Sequence, residues 1–130
     1  MDLDRGEAFR QFWTERRHAS LTTVRPDGSP HVVAVSVTVD FEHGLARVIT
    51  SGTSHKARLV RSAGEAGLAA AVCQFEGRKW STLEGRLRLR NDPASVQDAE
   101  ERHARRYRQP RENPQRVVLE LTVTRVLGNA

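Results

Sequence analysis

Arg47 to Lys56 reads RVITSGTSHK: an apolar run passes into the turn Thr50, Ser51, Gly52, Thr53, Ser54 and then reaches His55 and Lys56 where a helix can start. Residues in this order suit an anion. Glycine lets a charged group approach the backbone, hydroxyls and free N–H groups supply donors, and Lys56 adds a point charge beside the positive end of the helix dipole. The same residues also describe an ordinary strand-to-helix connection with Ser54 as N-cap. Local chemistry leaves both readings open.

Other chemistries find less support. The histidines His18, His31, His43, His55 and His103 show no HxxxH spacing, and a catalytic zinc needs three protein ligands converging on one point, so no metal is expected. Cys73, the one cysteine, lies in the apolar run Leu68–Phe75 and reads as a small buried hydrophobe rather than a nucleophile or half of a disulfide. No catalytic triad is visible. The net charge is +5, but the 21 basic residues are nearly all arginine and are spread among 16 acids. Two tryptophans, one tyrosine and four phenylalanines are too few, and too far from the arginines, for a base-stacking surface. A small or medium anionic ligand fits this composition better than nucleic acid.

The elements that must position these residues follow from hydrophobic period. A length of 130 residues makes one domain over residues 1–130, small enough that a second copy would usefully cover its remaining apolar faces. No apolar run is long enough to span a bilayer, and MDLDRGEAFRQFW lacks the basic-then-apolar layout of a signal peptide, so a soluble, cytoplasmic protein is expected. Asp4 and Glu7 suggest a capping box before a helix whose inner stripe is Phe9, Phe12 and Trp13. From Ser20 the pattern is strand-like: SLTTV, a turn at Arg25–Pro30, then HVVAVSVTV with valines at 33, 35, 37 and 39. The turn Glu42-His43-Gly44 returns into LARVITS, which predicts a three-strand meander.

After a short helix over about 55–62, GLAAAVCQF is apolar on both faces and reads as a strand covered on both sides. KWSTLEGRLRL follows as a half-exposed strand with Leu83, Leu87 and Leu89 inward. Asp92-Pro93 opens a charged helix with Val96, Ala99, His103 and Tyr107 on its inner stripe. RQPRENPQ must be a loop, and VVLELTVT closes the fold. Six strands without βαβ alternation predict an antiparallel barrel or sandwich with peripheral helices.

TTVRPDGSPHVVAV, ARVIT, the glycine and serine turn ending in lysine, and KWSTLEGRLRL together resemble the pyridoxine 5′-phosphate oxidase-like superfamily of flavin and deazaflavin proteins, over nearly the whole chain. SPHVVAV, RVIT, RKWSTLEGR, DAEERHARRYRQPRENPQR and the terminal RVLG are similar to its actinobacterial branch that uses the deazaflavin coenzyme F420. Thr53 and His55 stand where that branch would place a glycine and an amide side chain.

The resemblance implies a mainly β, six-stranded, Greek-key-like split β-barrel of the FMN-binding type that acts as a homodimer. It implies a flat deazaflavin on the edge formed by His31, Val32, Val33, Ala34 and Val35 with Ile49, Thr50 and Ser51, and its phosphate at Gly52, Thr53, Ser54, His55 and Lys56. Arg61, Arg78 and Lys79 are candidates for the cofactor's anionic tail, and Trp80 either walls the pocket or fills the core. The implied reaction is hydride transfer from reduced coenzyme F420 to a conjugated anion such as biliverdin, which becomes bilirubin, with arginines on its two propionates. An FMN-dependent flavoprotein on the same fold, and a non-catalytic binder of flavin, deazaflavin or haem, are the other classes the residues allow.

Overall fold

The run His31–Val39, expected as one strand, is interrupted, and the interruption decides the architecture. In the computed structural model, which describes residues 2–130, β1 (Ala19–Val24) and β2 (Pro30–Val35) form a hairpin. After Ser36 and Val37 the chain resumes as the short β3 (Thr38–Asp40), which pairs with β4 (Leu45–Ser51). With β5 (Leu68–Glu76), β6 (Lys79–Arg90) and β7 (Arg116–Gly128), one antiparallel sheet of seven strands runs in the order β2-β1-β5-β6-β7-β4-β3. Seven strands thus replace the expected six. The meander is also corrected, because the neighbours of β4 are β3 and β7 rather than β2.

The sheet order forces closure. β2 and β3 are its opposite edges, which in a flat sheet would lie roughly 29 Å apart. Ser36 and Val37 can bridge at most about 11 Å. The sheet therefore curls until its edges approach, giving a barrel with a split where β2 leaves β3. Two residues at the end of α3 (Pro93–Arg106) hold the crossing point: Arg106 Nη1 donates to the Val37 carbonyl at 2.6 Å, and the Tyr107 hydroxyl accepts from the Val37 N–H at 3.1 Å while donating to the Arg17 carbonyl at 2.6 Å. The remaining guanidinium N–H groups of Arg106 reach the Glu15 carbonyl and Gln74 Oε1.

The core is the inner face of this barrel, with Leu21, Val35, Val37, Val48, Val72, Leu83, Leu87, Leu119 and Leu121 buried. Helix α1 (Glu7–Thr14) closes part of it with Phe9, Phe12 and Trp13, and the Trp13 indole donates to Ser81 Oγ at 2.9 Å. The capping box does not form. Gly6 occupies the N-cap position without a side-chain cap, so Glu7 is the first helical residue and not the third. Leu3 is fully buried, which draws the preceding segment onto the barrel instead of into the helix. Helix α2 (His55–Ala63) contributes Ala57 and Val60 to the interior, and α3 seats Ala99. Asp92 caps α3 by accepting from the Ser95 N–H at 3.0 Å, with Pro93 in the first turn.

The two longest strands meet at a bulge. Glu84 faces Arg125 while Gly85 faces Val123, leaving Thr124 as an extra residue on β7. A Cβ on Gly85 would lie 1.8 Å from the Thr122 carbonyl oxygen, so only glycine permits this close approach. On β5, Val72 and Gln74 are buried and point inward. The other face, with Ala69, Ala71, Cys73 and Phe75, is uncovered in one chain, contrary to a strand covered on both sides. Cys73 is accordingly half-buried on the outer surface, not in the core.

Asp40 ties β3 to its neighbours. Its carboxylate, whose side chain is 4% exposed, accepts from Arg47 Nη1 at 3.0 Å, from His43 Nδ1 at 2.9 Å and from the His43 N–H at 3.1 Å, and lies 3.4 Å from Arg102 of α3. Arg47 continues the network to Asp98 and Glu120, and Glu120 to Arg90. Burial by itself would raise the pKa of Asp40, but the hydrogen bonds from Arg47 and His43 and the attraction of Arg102 outweigh it and hold the pKa at about 2.

Candidate functional site

The split in the barrel leaves two strand edges without strand partners. Thr38 pairs with Arg47, so an unbroken ladder would continue with Ser36 opposite Ile49 and Ala34 opposite Ser51. It stops because the chain crosses over at Ser36-Val37. His31–Val35 keeps β1 on one side, Ile49–Ser51 keeps β7, and the facing sides stay free. Backbone donors and acceptors there are available to a flat polar edge. Within β2, Val33 and Val35 turn to the core while Val32 and Ala34 are exposed on the outer face.

The turn after β4, the candidate anion cradle, is held by backbone hydrogen bonds and by Arg61. The Gly52 N–H donates to the Gln115 carbonyl at 2.8 Å, the Ser54 N–H to the Ser51 carbonyl at 3.0 Å, and Arg61 Nη1 to the Gly52 carbonyl at 3.1 Å. A Cβ at Gly52 would meet the Gln115 oxygen at 3.0 Å and Arg61 Nη2 at 3.4 Å, so glycine lets the turn pack closely against Gln115 and Arg61. Ser54 caps α2, accepting from the Ala57 N–H at 3.2 Å, and its hydroxyl also accepts from Thr50 Oγ1 at 3.1 Å. Ser51 and Thr53 hydroxyls bond each other at 3.0 Å. The first-turn N–H groups of His55 and Lys56 are ones a helix leaves unbonded, and among the described residues neither has a partner.

Lys56 is half-buried and makes no ion pair among the described residues. Burial lowers the pKa of its ammonium, the direction expected for a cation in want of a counter-ion. His31 comes from the other side of the split: its ring meets that of His55 edge-on, 4.7 Å between centroids. The two sequence segments singled out for chemistry, at 31–35 and 49–56, are therefore brought together, with Arg61 beside Gly52.

Arg78, Lys79 and Trp80 are not brought there. They lie at the β5–β6 hairpin, where Glu76 pairs with Lys79 and Ser81 with Gly128, whereas the cradle lies beside Arg116 at the start of β7. The twelve residues of β6 put roughly 35 Å between its ends. Trp80 is 40% exposed on the outer face, opposite Phe75, so it fills no core. Sequence reasoning missed Arg25, whose guanidinium closes the β1–β2 turn on the Pro30 carbonyl at 2.7 Å and whose charge is felt by His31. Its place just before the Pro-Asp-Gly turn was the available signal. Among the described residues no helix is long and apolar enough to cross a membrane.

The comparison with known proteins agrees with this architecture. The model of the pyridoxamine 5′-phosphate oxidase family matches residues 6–130. The chain belongs to this family. Among curated proteins, it is 51% identical over 119 residues to one named F420H(2)-dependent biliverdin reductase from Mycobacterium tuberculosis (strain CDC 1551 / Oshkosh), covering 92% of this chain and 84% of that one. Among solved structures it is similar to the conserved hypothetical protein Rv2991 from Mycobacterium tuberculosis, with a TM-score of 0.76 and 20% identity over 98% of this chain and 86% of that one. It is similar also to a protein titled F420 Reductase, with a TM-score of 0.67 and 22% identity over 90% and 94% of the two chains. These two structural likenesses concern the fold.

Proposed function

We propose that this chain is a coenzyme F420-dependent reductase acting on a conjugated anionic acceptor, with biliverdin, reduced to bilirubin, as the substrate. The observation that carries this reading is the juxtaposition of two unpartnered strand edges with the anion cradle, in a chain 51% identical to a named F420H(2)-dependent biliverdin reductase. The residues fit the cofactor. N–H groups at His55 and Lys56 that are unbonded among the described residues, and a half-buried ammonium with no ion pair among them, would form a socket for a phosphate. The free edges of His31–Val35 and Ile49–Ser51 would hold the polar rim of a flat ring system.

When bound, the reduced deazaflavin supplies the hydride. The chain's own part is to bind, orient and exclude water, which needs no protein nucleophile. Titrating the apoprotein with coenzyme F420 and with FMN tests the reading: F420 is expected to bind much more tightly, and equal or reversed affinities would overturn it.

The outer sheet face supports a homodimer. Val24, Val32, Phe75, Trp80 and Leu127 are all exposed, Phe75 by 75%, and Ala69, Ala71 and Cys73 lie between them. A second copy on this face would bury them, and Arg78 and Lys79, distant from the cradle of their own chain, would then be candidates to act across the two-fold. Sedimentation at micromolar concentration is expected to show a dimer. A stable monomer would refute it.

A further inference from the structure

Two buried polar atoms without hydrogen-bond partners, Thr23 Oγ1 and His31 Nδ1, belong to a single cross-strand pair. Residues directly opposite in an antiparallel ladder have Cβ atoms about 5 Å apart on the same face, so the two side chains are within reach of one another. Thr23 is completely buried, between Leu21 and the turn, and His31 stands at the mouth of the barrel above it. Orphaned buried polar groups are rare in folded proteins and call for a reason.

The surroundings of His31 supply one. His55 and Lys56 face it from the start of α2, and Arg25 faces it from the β1–β2 turn. No carboxylate is among the groups that act on it. Burial, followed by repulsion from His55, Arg25 and Lys56, lowers the pKa of the ring below its ordinary value. In the free protein the imidazole is therefore neutral near pH 7. An anion placed among the same three groups would offset their repulsion and favour the charged ring.

We propose that His31 is the proton-coupled contact of the anion cradle: it takes up a proton when the cofactor's phosphate enters the space bounded by Arg25, His55 and Lys56, and the Thr23 hydroxyl accepts its Nδ1–H. The inference rests on the deazaflavin reading above. It accounts for both orphan atoms at once, since the imidazolium needs a second acceptor and the hydroxyl lacks a partner. The sign follows from linkage. The complex holds one proton more than the free protein between the free and bound pKa values of His31, so affinity falls as pH rises through that window, by at most about tenfold per pH unit.

Calorimetric titration of the apoprotein with coenzyme F420 near neutral pH, in two buffers of different ionisation heat, counts the protons. Wild type is expected to take up a sizeable fraction of a proton per F420 bound, and His31→Gln close to none. Proton NMR of the His31 ring in wild type gives the same answer should that variant fail to fold: its pKa is expected to rise when F420 saturates the site. Thr23→Val is expected to melt higher when free, because an orphan hydroxyl is replaced by a methyl, yet to take up less of a proton on binding. F420 binding with no proton uptake, or with equal uptake in His31→Gln, would overturn the proposal and leave the deazaflavin reading intact. Full uptake in Thr23→Val would overturn the role of the hydroxyl. Failure of wild type to bind F420 at all would remove both.

Discussion

Lys56→Ala is expected to bind coenzyme F420 roughly ten- to a hundredfold more weakly than wild type, the equivalent of about 1.5 to 3 kcal/mol for a lost charge-assisted hydrogen bond. The ammonium is half-buried and lies at the positive end of α2 without an ion pair among the described residues, so in the free protein both burial and the helix dipole work against its charge. Its truncation is therefore expected to leave the fold intact and to raise the melting temperature of the free protein slightly. Stability is given up for the sake of the anion. Lys56→Arg is expected to recover part of the affinity, because a planar fork does not fill the place of a point charge. If Lys56 were only a solvated first-turn residue, the melting temperature would change in the same direction and affinity would not. Affinity is the deciding measurement, and an unchanged value in Lys56→Ala would move the phosphate elsewhere.

Asp40→Asn is expected to cost about 3 kcal/mol of stability, as removing one partner of a buried charge network does. The loss of the carboxylate leaves Arg47, 12% exposed, with only the longer contacts to Asp98 and Glu120, and deprives β3 of its tie to α3. The pH dependence has a definite sign. Asp40 has a pKa of about 2 in the folded protein against an ordinary 3.8, so its contribution is complete above the ordinary value and is lost as pH falls through about 2. That difference corresponds to about 2 kcal/mol. Thermal melts are expected to show wild type losing stability between about pH 4 and 2, with a shallower fall in Asp40→Asn. Parallel profiles would mean that its partners stabilise the charged carboxylate no better in the folded protein than water does in the unfolded chain.

Local pattern was enough for several elements. The β1–β2 turn, Ser54 and Asp92 as helix caps, the inner stripe of α1, and the loop at 108–115 follow from side-chain shape and hydrogen-bonding capacity within a few residues, and the structure contains them. The turn at Gly52–Lys56 with its capped helix start was legible for the same reason, because glycine, a cap and a lysine fall on one turn. Patterns that depend on distant partners were not legible. Capping at Asp4 and Glu7 lost to the burial of Leu3, and Trp80 went to the outer face because Ser81 meets Trp13 inside.

The sequence by itself determined that the chain is a mainly β domain with a glycine- and serine-containing turn leading into a capped helix, since alternation, turn residues and caps are read from neighbours along the chain. Only the tertiary structure decided that valines 33, 35, 37 and 39, in perfect alternation, are divided between two strands on opposite edges of one sheet, with Val37 in the crossover between them. Alternation fixes which face of a strand is apolar and says nothing about which strand lies beside it. The break at Ser36-Val37 is imposed by Arg106 and Tyr107, some seventy residues away in sequence, and it opens the edges beside the cradle. Closure of the barrel likewise sets His31 against His55, a pairing that arises from the folding of the whole sheet and from no local preference, whereas Thr23 meets His31 through the local β1–β2 hairpin.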